Sequence, residues 1–372
     1  MPYYPEHTFV IGLTTIRRER RLPPGAIGSE VMVKEGMRVE AADTVLRGTA
    51  PGNYLILKAL APLGLRRADD LDEDVLQVQV GDRVERGAII AARGRGRGTR
   101  TIKAPADGVI ARIEDGEIIL QANARPVEVQ AMCPGEITSV RGTSEVLLET
   151  VGALIQCAWG NGKQVYSVYK AEAPEGIETL QGEVLLQQYR ATALVMTHSI
   201  QSPLVFDVAL EQEITGIIAP SMRADLREAA LRQTIPLILT EGFGEQKMSE
   251  IVYNLLRDNL GRPAMINAVE PERWSSSRPE IVIPLPSGGT LPPAPEMDRP
   301  LAEGALVRMT RAPLAGVAGR VVQVSDAPHT VENGLRLPGA EVQLSSGRTV
   351  FVPLANLELV GRSADAPGTG GG

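Results

Sequence analysis

The sequence predicts a multidomain protein of mixed β plus α/β class, and three observations carry that prediction. Through residues 1–185, short apolar segments are punctuated by Gly, Asp and Pro, the pattern of strands and turns. Over 190–286 the period changes to alternating strand and helix. A proline-rich linker at 287–300 (SGGTLPPAPEMDRP) then precedes a return to short strands over 301–362. The tail at 363–372 is Gly-rich and is expected to be disordered. The length of 372 residues fits two or three domains, and 43% hydrophobic content is enough to give each a core.

Composition excludes several classes. Cys133 and Cys157 are the only cysteines, and with His7, His198 and His329 they lie too far apart in sequence for a zinc motif. No metal and no cofactor is expected. No run of about 18 apolar residues is present, so no membrane span is expected. The start, MPYYPEHTFV, lacks the basic and apolar regions of a secretory leader, and a cytoplasmic location is the expectation. A net charge of −7 argues against a protein that coats nucleic acid along its whole length, and leaves room for local basic patches.

In the 1–185 region a repeat stands out. Glu35-Gly36-Met37-Arg38-Val39-Glu40 matches Val80-Gly81-Asp82-Arg83-Val84-Glu85 at an offset of 45 residues, and Val45 falls on Ile90 at the same offset. Ala104-Pro105-Ala106-Asp107-Gly108-Val109 has a looser echo in Cys133-Pro134-Gly135-Glu136-Ile137. Short β repeats of this kind predict a pseudo-symmetric sandwich or barrel. Gly81, Gly87 and Gly108 are expected at positive φ.

Between the two signatures lies Arg93-Gly94-Arg95-Gly96-Arg97-Gly98-Thr99-Arg100. With Lys103 this is a run of cations with no acid, and alternating Gly and Arg builds neither helix nor strand core. Arg93, Arg95, Arg97, Arg100 and Lys103 are therefore candidate contacts for RNA, DNA or another polyanion, against the plain reading of a soluble hairpin tip. Arg17-Arg18-Glu19-Arg20-Arg21 is a second basic run that could share the same surface.

The residues 80–91 (VGDRVERGAIIA) and 103–110 (KAPADGVI) resemble the V-G-D-x-V-x-x-G-x-x-I-A and A-P-x-x-G-x-V elements of biotinyl/lipoyl-like barrel-sandwich hybrids. Their order is more similar to the C subunit of Rnf electron-transport complexes than to carrier proteins. The resemblance implies the fold for about residues 25–150. Carriers set their modified lysine at a hairpin tip within M-K-M or D-K-A, and neither triplet occurs here, so Lys103 is read as a solvated lysine.

Over 190–286 the expected elements are strands at 193–196, 216–219, 236–239 and 264–268, with helices at 203–213, 222–232 and 247–258, the second helix capped by Ser221. This is a small parallel α/β domain. Such sheets bind ligands beyond the carboxyl ends of their strands. His198, Ser221, Thr240, Glu241, Gly242 and Gly244 fall there, with His198 as a base near Glu241 in the catalytic version of that reading. Neither a G-x-G-x-x-G nor a phosphate-loop motif is present.

Residues 303–322 (EGALVRMTRAPLAGVAGRVV) resemble a KOW motif, carried by Gly304, Val307, Pro313, Gly316, Gly319 and Val321. The resemblance implies an SH3-like five-stranded β-barrel over 301–362. It also implies contacts to nucleic acid, ribosome or polymerase, for which Arg308, Arg311 and Arg320 are the candidates. Six arginines against five acids leave this region nearly neutral.

Three functions follow as expectations. The favoured one is a non-catalytic adaptor that contacts nucleic acid or a ribonucleoprotein or polymerase assembly through the KOW-like barrel and the Arg-Gly loop. The alternative is a small-molecule-binding protein or enzyme that uses the strand ends of the α/β domain. The third is an accessory of an electron-transport complex.

Overall fold

A computed structural model describes residues 3–5, 7–94, 96–172, 176–177, 188–271, 277–286, 291–295, 300–311, 313–331 and 334–361. The expected tail at 363–372 lies outside the described residues, as does most of the linker.

The chain is β-rich. Its N-terminal half opens with β1 (His7–Arg21), β2 (Ile27–Val31), β3 (Arg38–Val39), β4 (Thr44–Ala50) and β5 (Tyr54–Lys58). A short helix, α1 (Leu60–Leu63), leads to β6 (Arg83–Val84), β7 (Ile89–Arg93), β8 (Arg100–Lys103), β9 (Gly108–Glu114) and β10 (Glu117–Ala122). Then come β11 (Arg125–Gln130), β12 (Gly135–Arg141), β13 (Glu145–Gln156), β14 (Trp159–Gly160) and β15 (Lys163–Ala171).

The repeat read from the sequence is a structural one. Residues 35–46 and 80–91 follow the same order of turn, two-residue strand, turn and strand. Val39 and Val84 are buried at equivalent places, and Val45 and Ile90 are wholly buried. β3 pairs with β12 through Val39 and Gly135, and β6 pairs with β9 through Val84 and Gly108. Gly36 N–H donates to Ile137 O at 2.7 Å, and Gly81 N–H donates to Ile110 O at 2.8 Å. Gly135 and Gly108 are thus counterparts. A Cβ on either would collide with the next strand's carbonyl, Glu149 O or Gln121 O. Gly81 and Gly87 have positive φ as expected (97° and 89°), whereas Gly108 does not, and close backbone approach is what requires it.

The α/β part comprises β16 (Ala193–Val195), α2 (Leu204–Glu211), β17 (Gly216–Met222), α3 (Arg227–Leu231), β18 (Leu237–Phe243), α4 (Glu250–Arg257), β19 (Pro263–Ala268) and β20 (Glu280–Pro284). Parallel pairing runs β15–β16–β17–β18. The strand expected at 264–268 is present, but β19 runs antiparallel to β15 and β20. Ser221 does not cap a helix. It lies wholly buried inside β17, which continues to Met222, and α3 begins only at Arg227. β17 is buried on both faces, so sheet pairing outweighs the local capping signal.

Strand pairing crosses the boundary expected at 185–190. β15 joins β16 and β19, and β13 joins β20. β1 pairs antiparallel with β13 along most of its length.

The last five strands are β21 (Leu306–Met309), β22 (Ala318–Thr330), β23 (Arg336–Leu344), β24 (Thr349–Pro353) and β25 (Leu357–Gly361). Their order is β25-β21-β22-β23-β24, with a 3₁₀ turn (Leu354–Asn356) before β25. They enclose Val307, Met309, Val321, Ala340, Val342, Val352 and Leu357. No hydrogen bonding between β24 and β25 closes the sheet among the described residues. This unit is joined to the rest of the chain, because β25 pairs in parallel with β1 at His7–Phe9. The linker's Pro292 and Pro293 carbonyls accept hydrogen bonds from Thr15 and Thr14.

Candidate functional site

The candidate cations separate into those the fold turns inward and those it leaves in solvent. β7 and β8 form the Arg-Gly hairpin, with a 3₁₀ turn at Gly96–Gly98. Arg95 and the Arg97 side chain lie outside what the structure describes. Arg93 Nη1 donates to Leu63 O (3.3 Å) and Gly64 O (2.5 Å), so it caps the carboxyl end of α1. Arg100 also lies against Gly64, where a Cβ would meet its Nη1. This packing brings in Arg66 and Arg67, which sequence reading missed because some 30 residues separate them from the loop. The only local signal was their position just after a helix-ending Gly. Arg66, Arg67, Arg100 and Lys103 are all exposed, and none has an ion pair among the described residues. Five acids follow at once, Asp69, Asp70, Asp72, Glu73 and Asp74, and Asp70 is turned to the Arg66 and Arg67 backbone N–H groups.

The second basic run does not join this surface. Arg17 pairs with Glu149 (2.6 Å) and Arg21 with Glu145 (2.7 Å), across the β1–β13 ladder. Arg18 binds Glu280 through both Nε and Nη2. Burial acts to lower its pKa, but the Glu280 carboxylate outweighs that and holds it above the ordinary value. Arg20 is buried, donates to Ala131 O at 2.8 Å and lies beside the Cys133 thiol. Burial lowers the Arg20 pKa and raises that of Cys133.

Of the C-terminal candidates, Arg311 and Arg320 are exposed, and Arg320 donates to Gly304 O at 2.9 Å. Arg308 is not a surface cation. Its Nη1 donates to Glu241 at 3.0 Å, and its Nη2 to Glu358 at 2.5 Å. The three side chains are only 13%, 4% and 7% exposed. Thr8 Oγ1 also donates to Glu358, and Glu241 accepts the Ser249 N–H at 3.0 Å. Burial acts to lower the Arg308 pKa, but the two carboxylates outweigh it and keep it raised. A guanidinium committed in this way cannot reach a phosphate.

This triad also settles where the strand-end residues sit. Glu241 is engaged with Arg308 and not with His198. His198 Nδ1 instead lies 3.0 Å from Glu172 Oε1, which also accepts the Thr197 N–H at 2.7 Å. Ser221 Oγ exchanges hydrogen bonds with Gln246 backbone O and N. Thr240 is buried, and its Oγ1 has no hydrogen-bond partner in the structure. Gly242 and Gly244 have positive φ (97° and 111°), and Ser199 Oγ donates to Gly244 O. The carboxyl end of β18 is thus filled by the chain's own Arg308, while the ends of β15 and β16 present Glu172 and His198.

Among the described residues no helix is long and apolar enough to cross a membrane, and no group of three or more His, Cys, Asp or Glu is placed to hold a metal. Comparison with protein-family models and with curated proteins finds no match to this chain.

Proposed function

We propose that this chain is a non-catalytic adaptor that contacts the phosphate backbone of nucleic acid, alone or within a ribonucleoprotein or polymerase assembly. The observation that carries the reading is the exposed cluster of Arg66, Arg67 and Arg100 at the Arg-Gly hairpin, with Lys103 on the same strand and no carboxylate paired to any of them. Solvated guanidiniums without partners add little to stability, and they suit phosphate. The barrel-sandwich resemblance is supported by the paired halves at 35–46 and 80–91. The KOW resemblance is supported by the five-strand order with a 3₁₀ turn before the last strand. In this reading Arg311 and Arg320 add a second contact, and Arg308 holds the two parts together.

The test is fluorescence anisotropy with duplex and single-stranded oligonucleotides across a salt series. The four hairpin cations contribute roughly −3.6 on duplex and −2.8 on single strands to the slope of log K against log salt. Replacing Arg66, Arg67 and Arg100 by Ser should reduce the magnitude of the duplex slope by about 2.7, three contacts at about 0.9 each. No binding at low salt by the wild type sinks the proposal.

A second reading rests on the Glu172–His198 pair at the carboxyl ends of parallel strands, the usual ligand position in such sheets. A carboxylate on Nδ1 fixes the orientation of the imidazole at these strand ends. Thermal-shift screening against nucleotides and metabolites tests it, with His198→Ala expected to abolish any stabilisation.

A further inference from the structure

The outer face of the C-terminal unit carries an aromatic pair that its core does not use. On β24, Val350 and Val352 face the apolar interior, and Phe351 points the other way. The chain has only four Phe, and this one sits outside the core on a half-buried surface. His329, at the end of β22, stacks on it with ring centroids 4.5 Å apart and planes 24° from parallel.

The strand register explains how the two rings meet. Phe351 lies opposite Glu341 on β23, and His329 lies opposite Leu337. Gly339 lies between those two positions on the same face. A Cβ there would collide with Phe351 Cζ and Cε2, so only glycine leaves the floor on which the ring lies. A β-bulge in β22 between Ser325 and His329 brings the imidazole over that place. Gly339 is buried against the Phe351 ring, Phe351 is half-buried, and His329, stacked on it, is exposed. Arg336 and Arg348 are exposed near the two ends of β23, and neither has an ion pair among the described residues; Arg336 lies on the opposite face of the strand from Leu337 and Gly339. Among the described residues, Glu341 is an acid on this face, directly opposite Phe351.

We infer that Phe351 and His329 form a stacking platform for an unpaired nucleobase, so that the C-terminal unit makes the adaptor prefer single-stranded RNA or DNA over duplex. This rests on the nucleic-acid reading above and adds a base contact to its phosphate contacts. A base in a duplex already has both faces stacked, whereas an unpaired base can lay one face on the outer side of His329.

The experiment compares a single-stranded 12-mer with a hairpin duplex of the same length, by anisotropy, for wild type, His329→Ala and His329→Tyr. Base stacking predicts that His329→Ala binds the single strand about 5- to 100-fold more weakly, with duplex affinity and salt slope unchanged. His329→Tyr, which keeps a planar face, should retain the preference. If His329→Ala binds the single strand as tightly as the wild type, the platform is refuted while the phosphate reading stands. If the wild type binds neither oligonucleotide, the phosphate reading fails, and the platform is judged by adenosine monophosphate at millimolar concentration. Upfield shifts of the His329 imidazole C–H proton NMR signals, assigned by their loss in His329→Ala, support it. Unshifted signals overturn it.

Discussion

Replacing Arg308 by Met tests whether the C-terminal unit is part of one folded body. Arg308 is the shared cation of two carboxylates, Glu241 on β18 and Glu358 on β25, at 3.0 and 2.5 Å. Methionine fills similar volume and supplies no donor, so two nearly buried carboxylates are left facing each other. Breaking a buried pair by removing one partner costs about 3–5 kcal/mol. Taking about 4 kcal/mol and a urea dependence of about 2 kcal/mol per molar, the midpoint should fall by about 2 M. Arg308→Lys keeps the charge but cannot fork to both carboxylates, and its loss should be intermediate. The triple change Arg308→Met, Glu241→Gln, Glu358→Gln should recover much of the deficit, because no charge is left unpaired. The assay is urea unfolding followed by far-UV circular dichroism. A midpoint for Arg308→Met within about 0.3 M of wild type, a shift too small for a buried pair, refutes the reasoning, as does a lysine variant no better than methionine.

Other outcomes follow from the same structure. Gly108→Ala and Gly135→Ala should each destabilise by about 1–3 kcal/mol in thermal melts, and by similar amounts, because their counterpart positions meet a carbonyl in the same way. Burial raises the thiols of Cys133 and Cys157 and the phenols of Tyr166 and Tyr169 above their ordinary values of 9.0 and 10.0. Above pH 9 the unfolded chain therefore loses protons that the folded chain keeps; stability is complete below that pH and falls as pH rises through 9 to 11, measurable as a declining melting temperature. The same burial predicts that a thiol reagent at pH 8 labels the native protein at least about 100-fold more slowly than the urea-unfolded chain.

The sequence showed the repeat most clearly, because its glycines and valines answer to local geometry. Gly36 and Gly81 open equivalent turns, and Val39 and Val84 are buried one step later, so the 45-residue offset survives in three dimensions. The alternation over 190–286 was also legible, since strand and helix periods are properties of short windows. Ser221 shows where such windows stop working. Its capping signal is local, but the extension of β17 is set by pairing to β18, which no window contains. Arg308 shows the same limit at a larger scale. It alternates with Val307 and Met309 along β21, and in an isolated barrel that parity points it to solvent. Here that side of the strand faces Glu241, which lies 67 residues earlier in the chain.

The fate of the arginines supplies the strongest functional argument. Arg17, Arg18, Arg20, Arg21 and Arg308 look in sequence like a basic surface, yet each meets a carboxylate, a carbonyl or a thiol across strands. Packing accounts for Arg18, Arg20 and Arg308, while Arg17 and Arg21 stay exposed and are committed to carboxylates across the ladder. Arg66, Arg67, Arg100 and Lys103 have no such account. Among the described residues no carboxylate pairs with these cations, although Asp69, Asp70, Asp72, Glu73 and Asp74 follow in the same segment, and exposed cations of this kind add little to stability. Arg93 sharpens the point, because it is spent on capping that same helix and so fixes the hairpin against it. The anchored hairpin holds the backbone positions of the cluster as a fixed array, while the side chains themselves stay solvated. A fixed array of cations loses less entropy on meeting a row of phosphates than a mobile one does. Arg93→Ala should therefore weaken polyanion binding more than the loss of one non-contacting charge predicts, with the salt slope nearly unchanged. A full-unit change in slope would instead place Arg93 among the phosphate contacts.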